Sequence, residues 1–346
     1  MRWWLFYGAL SLVQAGVLGA NEVLLHAEED FHSNLHRYID AAQQGEINPY
    51  ADLEGFLEKA KEAQHLFPVS ALHALNDFKL HKGEDSYLLW RNLPIDVDLS
   101  ITPGEESAFP PPKGSFVSEF CLSLFATALG EPFNYIQEEG GNVFRNVRPA
   151  KKNAEEQTSD GFKVNLELHT ETAFHSFRPD YLLLYCLRGD RGKKAFTLVS
   201  SIKRIVQELD SDTIAELRRH HYQTAVDVSF GNKDKTKYVP ELLAVFGGSD
   251  SDPIIIYDLD LMRGVTVEAQ CALNRLKEAI LAVQEALLLE PGDLLILDNR
   301  RTVHGRTAYE PAFDGYDRWL QRVYVSDNDD FARNISLTGR VIRQEF

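Results

Sequence analysis

A chain of 346 residues with 36 basic and 52 acidic side chains carries a net charge of −16, which repels a phosphate backbone and argues against nucleic acid while favouring a cationic small molecule. Its 44% hydrophobic and 25% charged content is that of a globular protein with a substantial core, and beyond the N-terminus no segment approaches the ~20 apolar residues of a membrane span, so no membrane is expected. Cys121, Cys186 and Cys271 are odd in number, far apart and without a Cys-x-x-Cys, which fits buried thiols in a reducing compartment better than a disulfide framework or a zinc knuckle.

Residues 1–20 form an apolar N-terminal extension. Arg2 precedes an apolar run that reaches Gly19-Ala20, the pattern of a targeting signal. A lone Arg and the interrupting Gln14 weaken that pattern, and a buried first helix is the alternative. Residues 21–80 are expected to be helical, with apolar residues near helical spacing after Asn34 and again at Leu53, Phe56, Leu57 and Ala60. Tyr87 to Leu93 reads as a strand, followed by a proline-rich loop around Phe109 to Pro112. Ser115 to Leu129 reads as a buried helix ended by Gly130.

A polar, irregular stretch over residues 137–161 precedes a series of strands. Long polar loops of this kind are often functional. The strands are expected at Val164–His169, Tyr181–Leu187, Ala195–Val199, Ile254–Tyr257, Leu294–Leu297 and Trp319–Val325. One long amphipathic helix, Val267 to Leu289, separates the later strands, with Leu273, Leu276, Ile280, Val283 and Leu287 on its apolar face. No internal repeat or linker divides the chain, so residues 21–346 are expected to form one domain with its β core at about 164–325. Many short strands and few helices in this half predict a mainly β fold, a double-sheet roll flanked by helices.

His169 and Glu171 are separated by one residue. In an extended strand, residues two apart point to the same side, so an imidazole and a carboxylate converge. Alone this is a weak signal, since surface strands carry such pairs. His304, after the apolar strand ending at Asp298, supplies a third ligand at a strand end, and two His with one carboxylate suit non-heme Fe(II) that activates O2. Arg318 and Arg322, four apart, share a face of the following strand and need anionic partners if buried; surface salt bridging is the alternative. Thr197 adds a hydroxyl. His175 is roughly 13 Å along the strand from Glu171, too far to share its metal, and is expected to be a hydrogen-bonded wall residue. A solvated role is expected for His220 and His221.

Three motifs in order, Leu168-His-Thr-Glu-Thr-Ala-Phe-His-Ser-Phe-Arg-Pro-Asp-Tyr181, Asp298-Asn-Arg-Arg-Thr-Val-His-Gly-Arg306 and Phe313-Asp-Gly-Tyr-Asp-Arg-Trp-Leu-Gln-Arg322, resemble the clavaminate synthase-like Fe(II)/2-oxoglutarate oxygenases. Within them the resemblance is to enzymes that hydroxylate free L-amino acids such as arginine, asparagine and lysine. It runs from about Leu88 to Val325 and leaves the first twenty residues outside.

The resemblance implies a double-stranded β-helix, or jelly roll. It implies Fe(II) on His169, Glu171 and His304. The distal carboxylate of 2-oxoglutarate falls to Arg318, assisted by Thr197, and a planar guanidinium suits that task. Arg322 is then the holder of the substrate carboxylate, Glu138 or Glu139 with Asp180 the group that meets the α-amino group, and Asp258 the residue facing the substrate side chain. Thr172 and Ser176 depart from the family's frequent Asp and Pro, but neither is a ligand.

The implied reaction consumes O2 and 2-oxoglutarate, releases succinate and CO2, and hydroxylates C3 or C4 of a free amino acid. Glu171 favours hydroxylation over halogenation, because related halogenases lack that carboxylate; desaturation uses the same ligands. The acidic residues at Asp258, Glu138 and Glu139 favour lysine or arginine over asparagine, glutamine or citrulline. From a different class, a non-oxidative His/His/Glu metal enzyme is the alternative, although it has no need of Arg318 and Thr197. A co-substrate of central metabolism favours a cytoplasmic location over the signal-like N-terminus.

Overall fold

The computed structural model describes residues 24–26, 29–43, 48–104, 110, 113–227, 230, 241–328 and 339–344. The N-terminal extension at 1–20 lies outside them. Two β-sheets form the body. The larger has eight strands, and its path runs Leu24–His26, Tyr87–Arg91, Leu294–Asp298, Tyr181–Arg188, Trp319–Ser326, Glu131–Tyr135, Val341–Ile342, with Arg145–Val147 also paired to Trp319–Ser326. The smaller has four antiparallel strands in the order Glu285–Leu287, Thr197–Ser201, Thr302–Arg306, Leu166–His169.

Alternation along the strands makes two layers of core. In Tyr181–Arg188, residues Leu183, Tyr185 and Leu187 join a cluster with the helix Val117–Leu129. Their neighbours Leu182, Leu184 and Cys186 face the other way, into a cluster shared with Val199 and Leu287 of the smaller sheet. Successive side chains of a strand point to opposite faces, so one strand serves both layers. Each fully buried Leu contributes on the order of 1.5–3 kcal/mol. The outer face of the smaller sheet, through Leu198 and Val303, packs on Ala269, Leu273, Leu276 and Ile280 of the helix Val267–Ala282.

Val117–Leu129 is buried around most of its circumference, as expected of a helix covered on all sides. Its one acid, Glu119, is compensated by Lys113 at 2.6 Å, the Tyr50 hydroxyl at 2.9 Å and Gln321 at 2.8 Å. Gly130 ends it at a place where a Cβ would collide with the Ser326 carbonyl.

Several expectations are corrected. The helix beginning at Val267, capped by Thr266, stops at Ala282, and Glu285–Leu287 instead pairs with Thr197–Ser201 as the edge of the smaller sheet. Val283 and Leu287 suit a helix face, but the unpaired edge of the sheet claims the second half of the run. Cys121 and Cys186 are buried, whereas Cys271 is exposed. His304 does not end the apolar strand Leu294–Asp298 but sits in the middle of its own strand, Thr302–Arg306. The helix Val69–Lys79 lies within the stretch 21–80 expected to be helical, and Ser211–Leu217 ends just before Arg218. Among the described residues no helix is long and apolar enough to cross a membrane.

Candidate metal and co-substrate site

The strand Leu166–His169 ends at His169, so Glu171 lies in the turn beyond and not on the strand. The convergence survives for a different reason from strand alternation. Asn299 accepts the Glu171 N–H at 2.8 Å and donates from its amide to the Glu171 carbonyl at 3.2 Å and the Pro179 carbonyl at 2.9 Å. Thr172 follows at φ 51°, a left-handed conformation costly for a β-branched residue and common where a site overrides local preference.

His304 is the direct cross-strand partner of His169, and their ring centroids are 4.5 Å apart. Glu171 Oε2 lies 3.3 Å from His304 Nε2 and 3.8 Å from His169 Nε2. The ligand atoms of all three fall within 4.8 Å of one another. His169 Nδ1 is 2.7 Å from the Glu167 carbonyl, which fixes the tautomer that turns Nε2 toward the centre. Gly305, just beyond His304, lets the strand approach Leu166, whose carbonyl oxygen would lie 2.5 Å from any Cβ there.

An ion bonded to all three donors at about 2.1 Å would set adjacent donors about 3 Å apart. The observed spacings therefore fit one metal ion after small side-chain shifts. Burial would raise the Glu171 carboxyl, but hydrogen bonds from His169 and His304 and the charge of Arg322 hold it well below the usual range. Burial lowers the His169 imidazole, yet the bond and charge of Glu171, with Asp258, lift it to about 9. Burial and the charge on His169 push His304 down.

A cavity of about 100 Å³ opens beside the triad, lined among others by Glu138, Thr197, Asp227, Arg306, Arg318 and Arg322. Arg322 is 5% exposed and donates to Glu138 Oε2, with Glu171 Oε1 at 3.5 Å and the Tyr324 ring at 4.0 Å. Burial lowers its pKa, but Glu138 and Tyr324 outweigh that and raise it. Arg145 reaches Glu138 at 3.1 Å and Asp160 at 3.4 Å. Arg318, 6% exposed, lines the same cavity and enters no hydrogen bond or ion pair among the described residues. Thr197 is buried beside it.

The expected residues are not all brought together. His169, Glu171, His304, Thr197, Arg318, Arg322 and Glu138 share the cavity wall. Glu139 does not line it; it sits in a one-turn 3₁₀ segment at φ 45°. Asp258 forms a backbone bridge to His169 and accepts from the N–H groups of Asp260 and Leu261, at the edge of the triad. Asp180 turns away, bonded to Ser326 Oγ at 3.1 Å and Asp327 N at 2.8 Å, because its strand feeds the larger sheet. It lines a separate and larger cavity of about 240 Å³ with Arg178 and Arg300. The triad, not cavity size, marks the chemistry.

His175 is fully buried, accepts the Phe177 N–H at Nδ1 and packs at a tilt against the Tyr135 ring, 4.8 Å between centroids. His220 is exposed, and His221 bonds Glu216 at 2.7 Å. Arg145, Asp227, Asn299, Arg306 and Tyr324 were missed. Only Arg306 had a sequence signal, its place two residues after His304.

The profile of the family described as taurine catabolism dioxygenase TauD, TfdA family matches residues 113–324. The chain is 36% identical to clavaminate synthase 2 of Streptomyces clavuligerus, over 84% of this chain and 88% of that one. It is 34% identical to the L-lysine 3-hydroxylase of Catenulispora acidiphila, over 84% of this chain and 81% of the other. A solved structure of asparagine oxygenase with Fe(II), (2S,3S)-3-hydroxyasparagine and succinate superposes with a TM-score of 0.84 at 30% identity, covering 93% of this chain and 100% of that chain.

Proposed function

The chain belongs to the TauD, TfdA family of dioxygenases, and from that premise we propose that it hydroxylates C3 or C4 of a free basic L-amino acid, lysine or arginine. It is an Fe(II)- and 2-oxoglutarate-dependent enzyme. The observation that carries the substrate reading is the buried Arg322–Glu138 pair beside the triad. Side by side, it offers one group for each charge of an amino-acid zwitterion. A guanidinium takes a carboxylate in a bidentate fork, and Glu138 meets an ammonium.

In this reading His169, Glu171 and His304 hold the iron. Bound iron supplies the activation of O2 that converts 2-oxoglutarate to succinate and CO2 and places one oxygen atom in a substrate C–H bond. Arg318, with the Thr197 hydroxyl, takes the distal carboxylate of 2-oxoglutarate. Tyr324 and Arg322 orient Glu171, and Arg145 holds Glu138 by an ion pair at 3.1 Å. Asp227, on the cavity wall, adds a negative charge that favours a cationic side chain. Holding both α-groups fixes one end of the substrate, so that only carbons near its middle reach the metal.

Three relatives support a basic substrate by what their names say they act on, L-lysine for two and L-ornithine or L-arginine for the third. Incubating the iron-loaded chain with each proteinogenic L-amino acid and 2-oxoglutarate, with and without O2, tests the proposal. O2-dependent succinate is expected with lysine or arginine above all others, and NMR of the product locates the new hydroxyl. A best response with asparagine would move the substrate class to neutral amides, and no response to any free amino acid would reject it.

A further inference from the structure

Arg306 stands two residues beyond His304 on the strand Thr302–Arg306 and so projects on the same side, toward the triad cavity that it lines. Its Cα is the cross-strand partner of Thr197. The side chain is buried at 4% exposure, and every hydrogen bond it makes goes to a carbonyl oxygen. Nε donates to Thr307 at 3.2 Å, Nη1 to Ser159 at 3.3 Å and Gly161 at 2.5 Å, and Nη2 to Val164 at 3.2 Å. No carboxylate pairs with it among the described residues. Asp160, an acid of the same loop, is engaged by Arg145 at 3.4 Å and Arg148 at 3.9 Å.

Two features make this arrangement informative. Arg306 and Arg318 are two buried guanidiniums lining one cavity, neither in an ion pair with a carboxylate among the described residues, a costly arrangement until an anion neutralises it. Three of the four carbonyls that Arg306 holds belong to residues 159–164, and the adjoining Gln157, Thr158 and Ser159 form one wall of the cavity. The rest of that segment is tied mainly to itself, through Ala150 to Asp160 and through Phe162 and Lys163 to Ala154. Besides the Arg306 clasp it is linked to the body by Tyr309 N to Phe162 O at 2.9 Å, Glu167 N to Gln157 at 2.9 Å, the Arg145 and Arg148 contacts to Asp160, and the packing of Phe162 on Tyr309 and Phe313.

We propose that Arg306 is a positioning residue that couples occupancy of the co-substrate carboxylate site to the seating of segment 150–164 over the cavity. The proposal rests on the assignment of Arg318 as the 2-oxoglutarate anchor. With the site empty, the like charges of Arg306 and Arg318 oppose each other, and the clasp on the three carbonyls is strained. A carboxylate between them removes the repulsion and strengthens the hold that the planar fork of Arg306 already has on the segment, which keeps the segment seated against water. Lysine keeps the charge but cannot span the four carbonyls.

Lys151 and Lys152 are exposed in the segment and give trypsin a site there. Iron-loaded chain is digested under anaerobic conditions, with and without saturating 2-oxoglutarate, and with 2-oxobutanoate, which has the keto acid but no distal carboxylate. 2-Oxoglutarate binding is followed separately by calorimetry. In the wild-type chain 2-oxoglutarate is expected to slow cleavage at this site at least fivefold, and 2-oxobutanoate less than twofold. In Arg306→Lys the 2-oxoglutarate effect is expected to fall below twofold although the ligand still binds.

Faster cleavage of Arg306→Lys with an unchanged ratio would mean a merely structural role and overturn the proposal. So would equal protection by the two keto acids in the wild-type chain, a comparison that needs no variant to fold. Binding of 2-oxoglutarate without protection rejects the coupling alone. Failure of 2-oxoglutarate to bind the wild-type chain rejects the co-substrate assignment and the coupling with it.

Discussion

The hydroxyl of Tyr324 donates to Oε1 of Glu171, leaving Oε2 to face His304 at 3.3 Å. One oxygen of the carboxylate is thus committed to the protein and the other to the metal position. Second partners of this kind set ligand orientation and typically matter 10- to 100-fold in metal affinity. Tyr324→Phe, which keeps the ring under Arg322, is expected to weaken Fe(II) binding by about that factor in equilibrium competition with a chelator. Unaltered affinity would show that Arg322 and the turn suffice to aim Glu171.

Arg318 and Arg322 lie on one cavity wall but in opposite circumstances: Arg318 is without an ion pair among the described residues, whereas Arg322 is bound to Glu138. Removing a charge partner from a buried site costs about 2–5 kcal/mol, or roughly 30- to several-thousand-fold in affinity. Arg318→Ala is expected to raise the KM for 2-oxoglutarate on that scale with little change in the chain's stability. Arg322→Ala is expected to raise the KM for the amino acid and to destabilise the fold, because Glu138 is left buried. Equal effects of both variants on both substrates would sink this division of labour.

His175 supplies a pH test away from the ligands. Burial, with the charge of Arg178, pulls its imidazole down to about 4, and the Phe177 N–H occupies the nitrogen that a proton would need. The unfolded value is 6.5. Between these two values the unfolded chain binds the proton and the native chain does not, so stability is full above the unfolded value and falls as pH drops toward 4. The whole contribution is about 3 kcal/mol at most. Urea unfolding of the wild-type chain and of His175→Phe, compared from pH 7 to pH 5, checks it: the variant is expected to lose the acid slope. An equal slope in both would assign the acid sensitivity to other groups.

Much of the candidate centre was legible because its residues fall in three short motifs. Spacing drew His169, Glu171 and His304 together; Arg322 follows on the strand that begins at Trp319, and Arg318 lies one residue before it. The reason given for Glu171 was nevertheless wrong in detail. Strand alternation ends at His169, and it is Asn299, from the turn before Thr302, that holds the next residues. Asp180 illustrates the limit in the other direction: its neighbours in sequence are near the site, but the strand that starts at Tyr181 carries it to another cavity. Tyr324 acts through Glu171, far away in the chain, and Arg145 through Glu138 and Asp160, and no local pattern distinguishes them from an ordinary strand tyrosine and arginine. The helix at Val267 failed at its end because Leu287 satisfies both periods, and only the neighbouring strand decides between them.

The Asn299 clamp also has a consequence for how the chain folds. It joins groups 128 residues apart, and its own N–H reaches the Asp180 carbonyl at 2.9 Å. The His169–His304 pairing closes a loop of similar length. Contacts of such long range form after local ones, since the entropy of closing the loop must be met first. Iron therefore cannot nucleate this chain from a fragment: the centre assembles when the last long-range strands dock. Metal uptake during refolding should report that final step, lagging the recovery of secondary structure.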